Sequence, residues 1–168
     1  MKVAGFTFIR NAIQNDYSIV EAITSILPIC DEFIVAHGNS SDETLNLIEQ
    51  IGSPKIKIIQ TTWDDSAREG GRVFALETDK AFKAISSDVD WAFYIQGDEC
   101  VHEKYLESIR NEMQNCLNNK KIEGLLFNYK HFYGSYDFFA HSRRWYRREV
   151  RIIRNLPGMH SYRDAQGF

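Results

Sequence analysis

The feature that most restricts this chain is a repeated change of period. Short apolar runs rich in β-branched residues alternate with longer stretches whose apolar side chains recur every third or fourth position. The first pattern suits a buried strand. The second suits an amphipathic helix, which returns to the same face after about 3.6 residues. Val3–Ile9 reads as a strand, followed by a helix with Val20, Ile23 and Leu27 on one face. That helix opens with Ser18 and Glu21 at capping-box spacing and stops at Pro28. Phe33–Ala36, Ile56–Gln60 and Trp91–Ile95 repeat the strand pattern. Ser40 and Glu43 open a helix carrying Leu45, Ile48 and Ile51 that closes at Gly52. Ser66 and Glu69 open a third, with Val73, Phe74, Ala81, Phe82 and Ile85 as its apolar side, and Tyr105, Leu106, Ile109 and Met113 mark a fourth. Two more strands fit Gly124–Tyr129 and Glu149–Ile153. Alternation at these lengths predicts βαβ units, and so one α/β domain with a mostly parallel sheet covered by helices.

Composition narrows the function. At 168 residues and 43% apolar, the chain is long enough to fill one core. A net charge of −3 gives no reason to expect nucleic acid. No apolar run reaches the roughly 18 residues of a membrane span, and the start lacks the pattern of a secretory signal. Cys30, Cys100 and Cys116 are odd in number and lack C-x-x-C spacing, so a reducing cytoplasm is the simplest home. Charge is uneven: residues 143–168 hold seven basic and two acidic side chains. Aromatics crowd Phe127–Tyr146.

In a sheet of this kind ligands sit outside the carboxyl ends of the strands. Four loops fall there: Arg10 and Asn11; His37, Gly38 and Asn39; Trp63, Asp64 and Asp65; and Gln96, Gly97, Asp98 and Glu99. The last is the most informative. Asp98 follows the apolar strand Trp91–Ile95, and Gly97 would let the backbone approach a ligand closely. A carboxylate there can bind magnesium or manganese, which takes one or two carboxylates together with phosphate oxygens and water. It can equally cap the following helix. Gly38 and Asn39 fit either a left-handed turn that clasps a base or ribose or an ordinary strand-to-helix turn. The chain has neither G-x-G-x-x-G nor G-x-x-x-x-G-K-[ST], which counts against dinucleotide oxidoreductases and P-loop enzymes.

Arg72, one helical turn after Arg68, projects from the start of the third helix, where a phosphate or a carboxylate such as Asp65 would give it a partner; an ordinary surface ion pair fits equally. The run Arg143, Arg144, Trp145, Tyr146, Arg147, Arg148 fits nucleic acid through phosphate contacts and stacking, equally a pyrophosphate or an acidic acceptor, or by default a solvated strand with snorkelling arginines. His102, His131 and His141 lack ligand spacing and read as structural, whereas His160, between Gly158 and Asp164, is a candidate metal or phosphate contact.

Together these loops resemble the family 2 glycosyltransferases of the GT-A fold, particularly bacterial members acting on cell-envelope polysaccharides. The likeness runs over essentially the whole chain. Its most specific part is DWAFYIQGDECVHEKYL at 90–106, where Q-G-D-E takes the place of the family's D-x-D. WDDSAREGGR at 63–72, VRIIRNLPGMH at 150–160 and HGNSSDET at 37–44 are similar to three further family segments, in the same order.

The resemblance implies transfer of a sugar from a nucleotide-diphosphate donor, a UDP-sugar by preference, to a hydroxyl of a saccharide or lipid-linked saccharide, with inversion and the help of Mg2+ or Mn2+. A lipid-linked acceptor would add the inner face of the membrane to the cytoplasmic location. Carried over, Asp98 and His160 would hold the metal. Phe8, Arg10, His37, Asp65, Arg72, Gln96 and Gly97 would surround the nucleotide, and Asp164 or Glu99 would act as base. Residues 1–118 would bind the nucleotide-sugar and 119–168 would serve the acceptor. GT-A enzymes are usually longer, so the expectation is a domain interrupted at its C-terminus. Two other readings stay open. One is a non-catalytic module that uses the Arg/aromatic segment for an acidic partner. The other is a nucleotidyltransferase, which also positions a metal and phosphates at a strand end.

Overall fold

The computed structural model describes residues 1–140, 142, 144–165 and 167–168, with the backbone alone at 65, 68 and 69. The predicted strands all form: β1 (Val3–Ile9), β2 (Glu32–Gly38), β3 (Ile56–Thr61), β4 (Trp91–Tyr94), β5 (Gly124–Asn128) and β8 (Arg148–Arg154). They make one sheet in the order β3-β2-β1-β4-β8-β5. β1 to β4 run parallel, and β8 lies antiparallel between β4 and β5. Helices α1 (Ile19–Ile26), α2 (Thr44–Glu49), α3 (Arg72–Lys83) and α4 (Leu106–Cys116) cover it.

Both faces of the sheet are buried, which is why its strands read as continuous apolar runs. Ala4, Phe6, Ile34, Ala36, Tyr94 and Ile153 pack under Ala81 and Phe82 of α3. Ile9, Phe33, Val35, Trp91 and Phe93 pack under α1 and α4 through Ile19, Ile23, Ile26 and Met113. The chain moves outward from β1 to β3, then crosses back to β4 on the other side of β1. The gap between the carboxyl ends of β1 and β4 is therefore the topological switch point where this architecture places ligands.

Several local expectations are corrected. Ser18 precedes α1 but makes no side-chain cap bond. α2 begins at Thr44 because the residues before it bind another segment: Ser40 Oγ accepts from the Asn11 amide at 2.9 Å, Thr44 Oγ1 from Ala12 at 2.7 Å and Asp42 from Gln14 at 2.9 Å. Residues Asp65–Gly71 form a 3-10 turn, and α3 starts only after Gly71, which is left-handed at φ 73°. β8 is not a solvated strand with snorkelling arginines, because it lies inside the sheet with Arg151 and Arg154 buried. Arg154 donates to the carbonyls of Cys116, Leu117, Asn119 and Ile122, capping the end of α4, and lies 4.3 Å from the Trp91 ring centre. A separate hairpin, β6 (Phe132–Tyr133) with β7 (Ser135–Phe139), turns at Gly134 (φ 73°); the sequence reading lacked it. All three cysteines are free.

Candidate active site

Asp98 stands on the turn after β4 and is exposed. It caps no helix: the next helical turn opens at His102, whose side chain accepts from the Lys104 amide. Burial of its protein-facing side, then the neighbouring Glu99 carboxylate, raise the pKa of Asp98 above the usual carboxylate value. Those pressures favour a proton on Asp98, and equally a bound cation.

Glu99 is committed elsewhere. Arg151 of β8 grips it with two bonds, Nε to Oε2 at 3.1 Å and Nη2 to Oε1 at 2.8 Å. Tyr129 donates its hydroxyl to Oε1 at 2.8 Å, and the Gln96 amide donates to Oε2 at 3.0 Å. The Arg151 guanidinium also lies 5.3 Å from the Tyr94 ring centre and 5.2 Å from that of Tyr129. With both oxygens accepting two bonds, Glu99 is a strut that fixes the Asp98 turn and is poorly placed to take a substrate proton.

Gln96 turns its side-chain nitrogen inward, to the Tyr94 hydroxyl at 3.3 Å and the Ala165 carbonyl at 3.4 Å. Its amide oxygen has no hydrogen-bond partner among the described residues. At Gly97 a Cβ would sit 2.9 Å from Ile9 Cδ1, so packing against β1 also favours glycine there.

On the β1–β3 side the predicted nucleotide residues divide. Phe8 stacks on Phe74 (5.7 Å, 19°) and meets Trp63 at 5.8 Å, and the Arg10 guanidinium lies 5.6 Å from the Trp63 ring. Trp63 lies so close over Gly38 that a Cβ would come within 2.0 Å of its Nε1. Neither Gly38 nor Asn39 has a positive φ, which favours the ordinary strand-to-helix turn over the left-handed one; closeness to Trp63 accounts for the glycine. His37 does not join this group. It stands in register with Ile9, whereas Phe8 pairs with Ala36, so it faces the opposite, α1 side of the sheet. There it bonds Gln60 at 2.8 Å through Nδ1, and its buried Nε2 has no partner. The side chain of Asp65 lies outside the described residues, as do Arg68, Glu69, His141 and Arg143. Asp64, beside it, accepts from the Ser66 amide and hydroxyl.

Arg72, the first residue of α3, is exposed and lines a cleft of about 630 Å³ with Asp79, Ser161, Arg163 and Asp164. Asp164 backs onto Gly71, where a Cβ would meet its Cβ at 2.4 Å. It therefore belongs to the α3 flank, and one of its oxygens is buried without a partner. His160 bonds the Gly158 carbonyl at 3.0 Å, and the next residue, Ser161, donates its amide to Asp79 at 2.7 Å. Asp79 is seven residues along α3 from Arg72, about two turns. His160 is thus pinned to the flank of α3 and not gathered with Asp98.

What does gather there comes from elements far along the chain. Tyr129, His131 and Tyr146 surround the Asp98–Glu99 turn closely enough to interact electrostatically with it. Burial, then Glu99, push the Tyr146 hydroxyl up to about 12. The rings interlock: Tyr129 stacks on His131 at 5.7 Å, Tyr146 meets His131 edge-on at 4.4 Å, and Trp145 lies 5.0 Å from it. The local crowding of aromatics in the sequence was the only sign of this corner.

Among the described residues no three His, Cys, Asp or Glu side chains are grouped to hold a metal ion. The oxygens available are the Asp98 carboxylate and the Gln96 amide, a set that suits a hard divalent ion if a diphosphate and water complete its shell.

No family model and no curated protein matches this sequence. Solved structures do match its backbone. TarS from Staphylococcus aureus, in complex with UDP, aligns at 20% identity and TM-score 0.51, over 68% of this chain and 32% of TarS. Glucosyl-3-phosphoglycerate synthase from Mycobacterium tuberculosis, in complex with Mn2+, UDP-glucose and phosphoglyceric acid, aligns at 16% and 0.50, over 81% of this chain and 45% of that one. The 4-diphosphocytidyl-2C-methyl-D-erythritol synthase of Anaerococcus prevotii aligns at 11% and 0.54, over 92% and 70%. Identities this low speak for architecture. The chain has the GT-A fold, a mostly parallel Rossmann-like sheet between helices, as expected from the sequence. It spans about a third of the length of TarS. No helix among the described residues is long and apolar enough to cross a membrane.

Proposed function

We propose that this chain transfers a sugar from a nucleotide-diphosphate sugar, a UDP-sugar by preference, to a hydroxyl of a saccharide or lipid-linked saccharide, with inversion. The observation that carries the reading is Asp98: an exposed carboxylate at the switch point, on a turn braced by a buried ion pair. In this scheme Asp98 and the Gln96 amide oxygen hold a divalent ion, Mg2+ or Mn2+. When bound, that ion would neutralise charge developing on the departing diphosphate. Arg10 beside Trp63 and Phe8 meets the nucleoside. A cytoplasmic role in envelope polysaccharide synthesis, with the acceptor at the inner face of the membrane, completes the proposal. The solved structures with UDP, or with Mn2+ and UDP-glucose, support it as relatives in fold.

A second reading, transfer of a nucleotidyl group, draws on the synthase from Anaerococcus prevotii, which shares the fold over most of its length. Calorimetric titration separates the two readings. Sugar transfer predicts that UDP, or else GDP or dTDP, binds with Mn2+ and that Asp98→Ala removes the metal dependence. Binding of nucleoside triphosphates with no binding of any diphosphate favours nucleotidyl transfer. Nucleotide-blind behaviour in both proteins points to a non-catalytic module.

A further inference from the structure

We infer that His131 is the base that takes the proton from the acceptor hydroxyl, and that the aromatic corner around it is where the acceptor docks. The inference rests on the sugar-transfer reading and adds to it a residue that sequence spacing marked as structural.

The first support is tautomeric. His131 Nε2 lies 2.6 Å from the backbone carbonyl oxygen of Tyr146. A carbonyl oxygen can only accept, so Nε2 must carry the hydrogen and a neutral ring keeps its lone pair on Nδ1. No described residue hydrogen-bonds to Nδ1. The chain holds the ring in that pose from both ends, since the Ala140 amide donates to the His131 carbonyl at 2.7 Å and the Tyr129 amide to Arg147 at 2.9 Å. Tyr129, Tyr146 and Trp145 pack around the imidazole.

The second support is position. β4 divides the carboxyl edge of the sheet: Phe8, Arg10 and Trp63 lie on its β1–β3 side, whereas His131 and Tyr146 belong to the segment joining β5 to β8 on its other side. A donor whose diphosphate is held at Asp98 and whose nucleoside lies towards β1 directs its sugar between the two groups. Third, Glu99 is saturated by Arg151, Tyr129 and the Gln96 amide, and Asp164 packs its Cβ against Gly71 in the cleft beside Arg72 and Asp79. The exposed faces of Trp145 and Tyr146 provide apolar, ring-sized surfaces next to the base, suited to a pyranose.

The step balances without a co-reactant. As the acceptor oxygen bonds to the anomeric carbon, the bond from that carbon to the diphosphate breaks and its electron pair leaves with the diphosphate. The hydroxyl proton passes to Nδ1, and the resulting imidazolium keeps donating from Nε2 to the Tyr146 carbonyl.

Two measurements on the full chain test this. A long-range 1H–15N spectrum of the ¹⁵N-histidine-labelled protein should show His131 protonated at Nε2; protonation at Nδ1 alone overturns the inference whatever the activity. UDP release is then followed with UDP-glucose, UDP-galactose and UDP-N-acetylglucosamine, with methyl β-D-glucopyranoside or water as acceptor. His131→Gln should slow release by about 100-fold or more while leaving UDP–Mn2+ affinity within about twofold, the pattern of a lost base. Unchanged release in His131→Gln contradicts the assignment. So does a wild-type chain that binds UDP–Mn2+ yet turns over no donor, since a base beside bound donor also activates water. Absence of metal-dependent UDP binding in the wild type instead sinks the sugar-transfer reading beneath it.

Discussion

The two sides of Asp98 are built by different physics. Towards β1–β3 the loops are sewn together by backbone-to-side-chain hydrogen bonds, with Asn11, Ala12 and Gln14 bonding across to Ser40, Thr44 and Asp42, and the surface above is a tight aromatic triad. Towards β8 and β5 a buried ion pair supports a ribbon whose aromatic side chains stand in solvent, Tyr136 at 86% exposure. The first side is preorganised like a rigid socket. The second has one firm point, Glu99–Arg151, and an open face beyond it. A transferase needs that asymmetry, because the nucleotide must be held in one pose while a bulkier partner enters and leaves.

Breaking the shared support beneath both sides should have the largest effect. Trp91 is fully buried, donates to the Met113 carbonyl at 3.1 Å and underlies Arg154. Trp91→Ala should cost about 4 kcal/mol in urea unfolding. Next comes the clamp. Arg151→Met strands the Glu99 carboxylate and should cost about 3 kcal/mol, whereas adding Glu99→Gln should recover most of the loss. Equal losses in the single and double variants would mean that the pair does not act as a unit.

A smaller change of opposite sign is expected at Asp98. Its folded pKa is raised, so between the unfolded and folded values the native state holds more proton than the unfolded chain, and stability falls as pH rises through that window. Asp98→Asn should therefore be slightly more stable than the wild type at pH 7, and the gain should vanish in acid below the unfolded carboxylate pKa, as read from melting temperatures across pH. The smallest effect belongs to the ribbon: Tyr136→Ser should leave stability within about 0.5 kcal/mol. A larger loss would show that the ribbon is packed and that the contrast between the sides is overstated.

The same contrast explains what the sequence could reveal. The strands from β1 to β4 were legible because burial on both faces writes continuous apolar runs, and Asp98 was legible because it follows the clearest of them. His37 was misjudged over which face it occupies, which is set by the pairing of Ile9 with His37 and not by loop position. The β8 side was hidden. Arg151 meets Glu99 across 52 residues, and nothing local distinguishes it from a solvated arginine until β8 is inserted beside β4. His131 has no ligand spacing because its role depends on a carbonyl 15 residues away.

The central claim is that the Asp98 turn holds a metal–diphosphate. Paramagnetic broadening of backbone amide signals by Mn2+ in the presence of UDP tests it most directly. The account predicts that residues 96–99 broaden first, with 10–12 close behind, that residues 158–160 stay sharp, and that Asp98→Ala abolishes the pattern. Broadening centred on His160, or a pattern unchanged in Asp98→Ala, would contradict it.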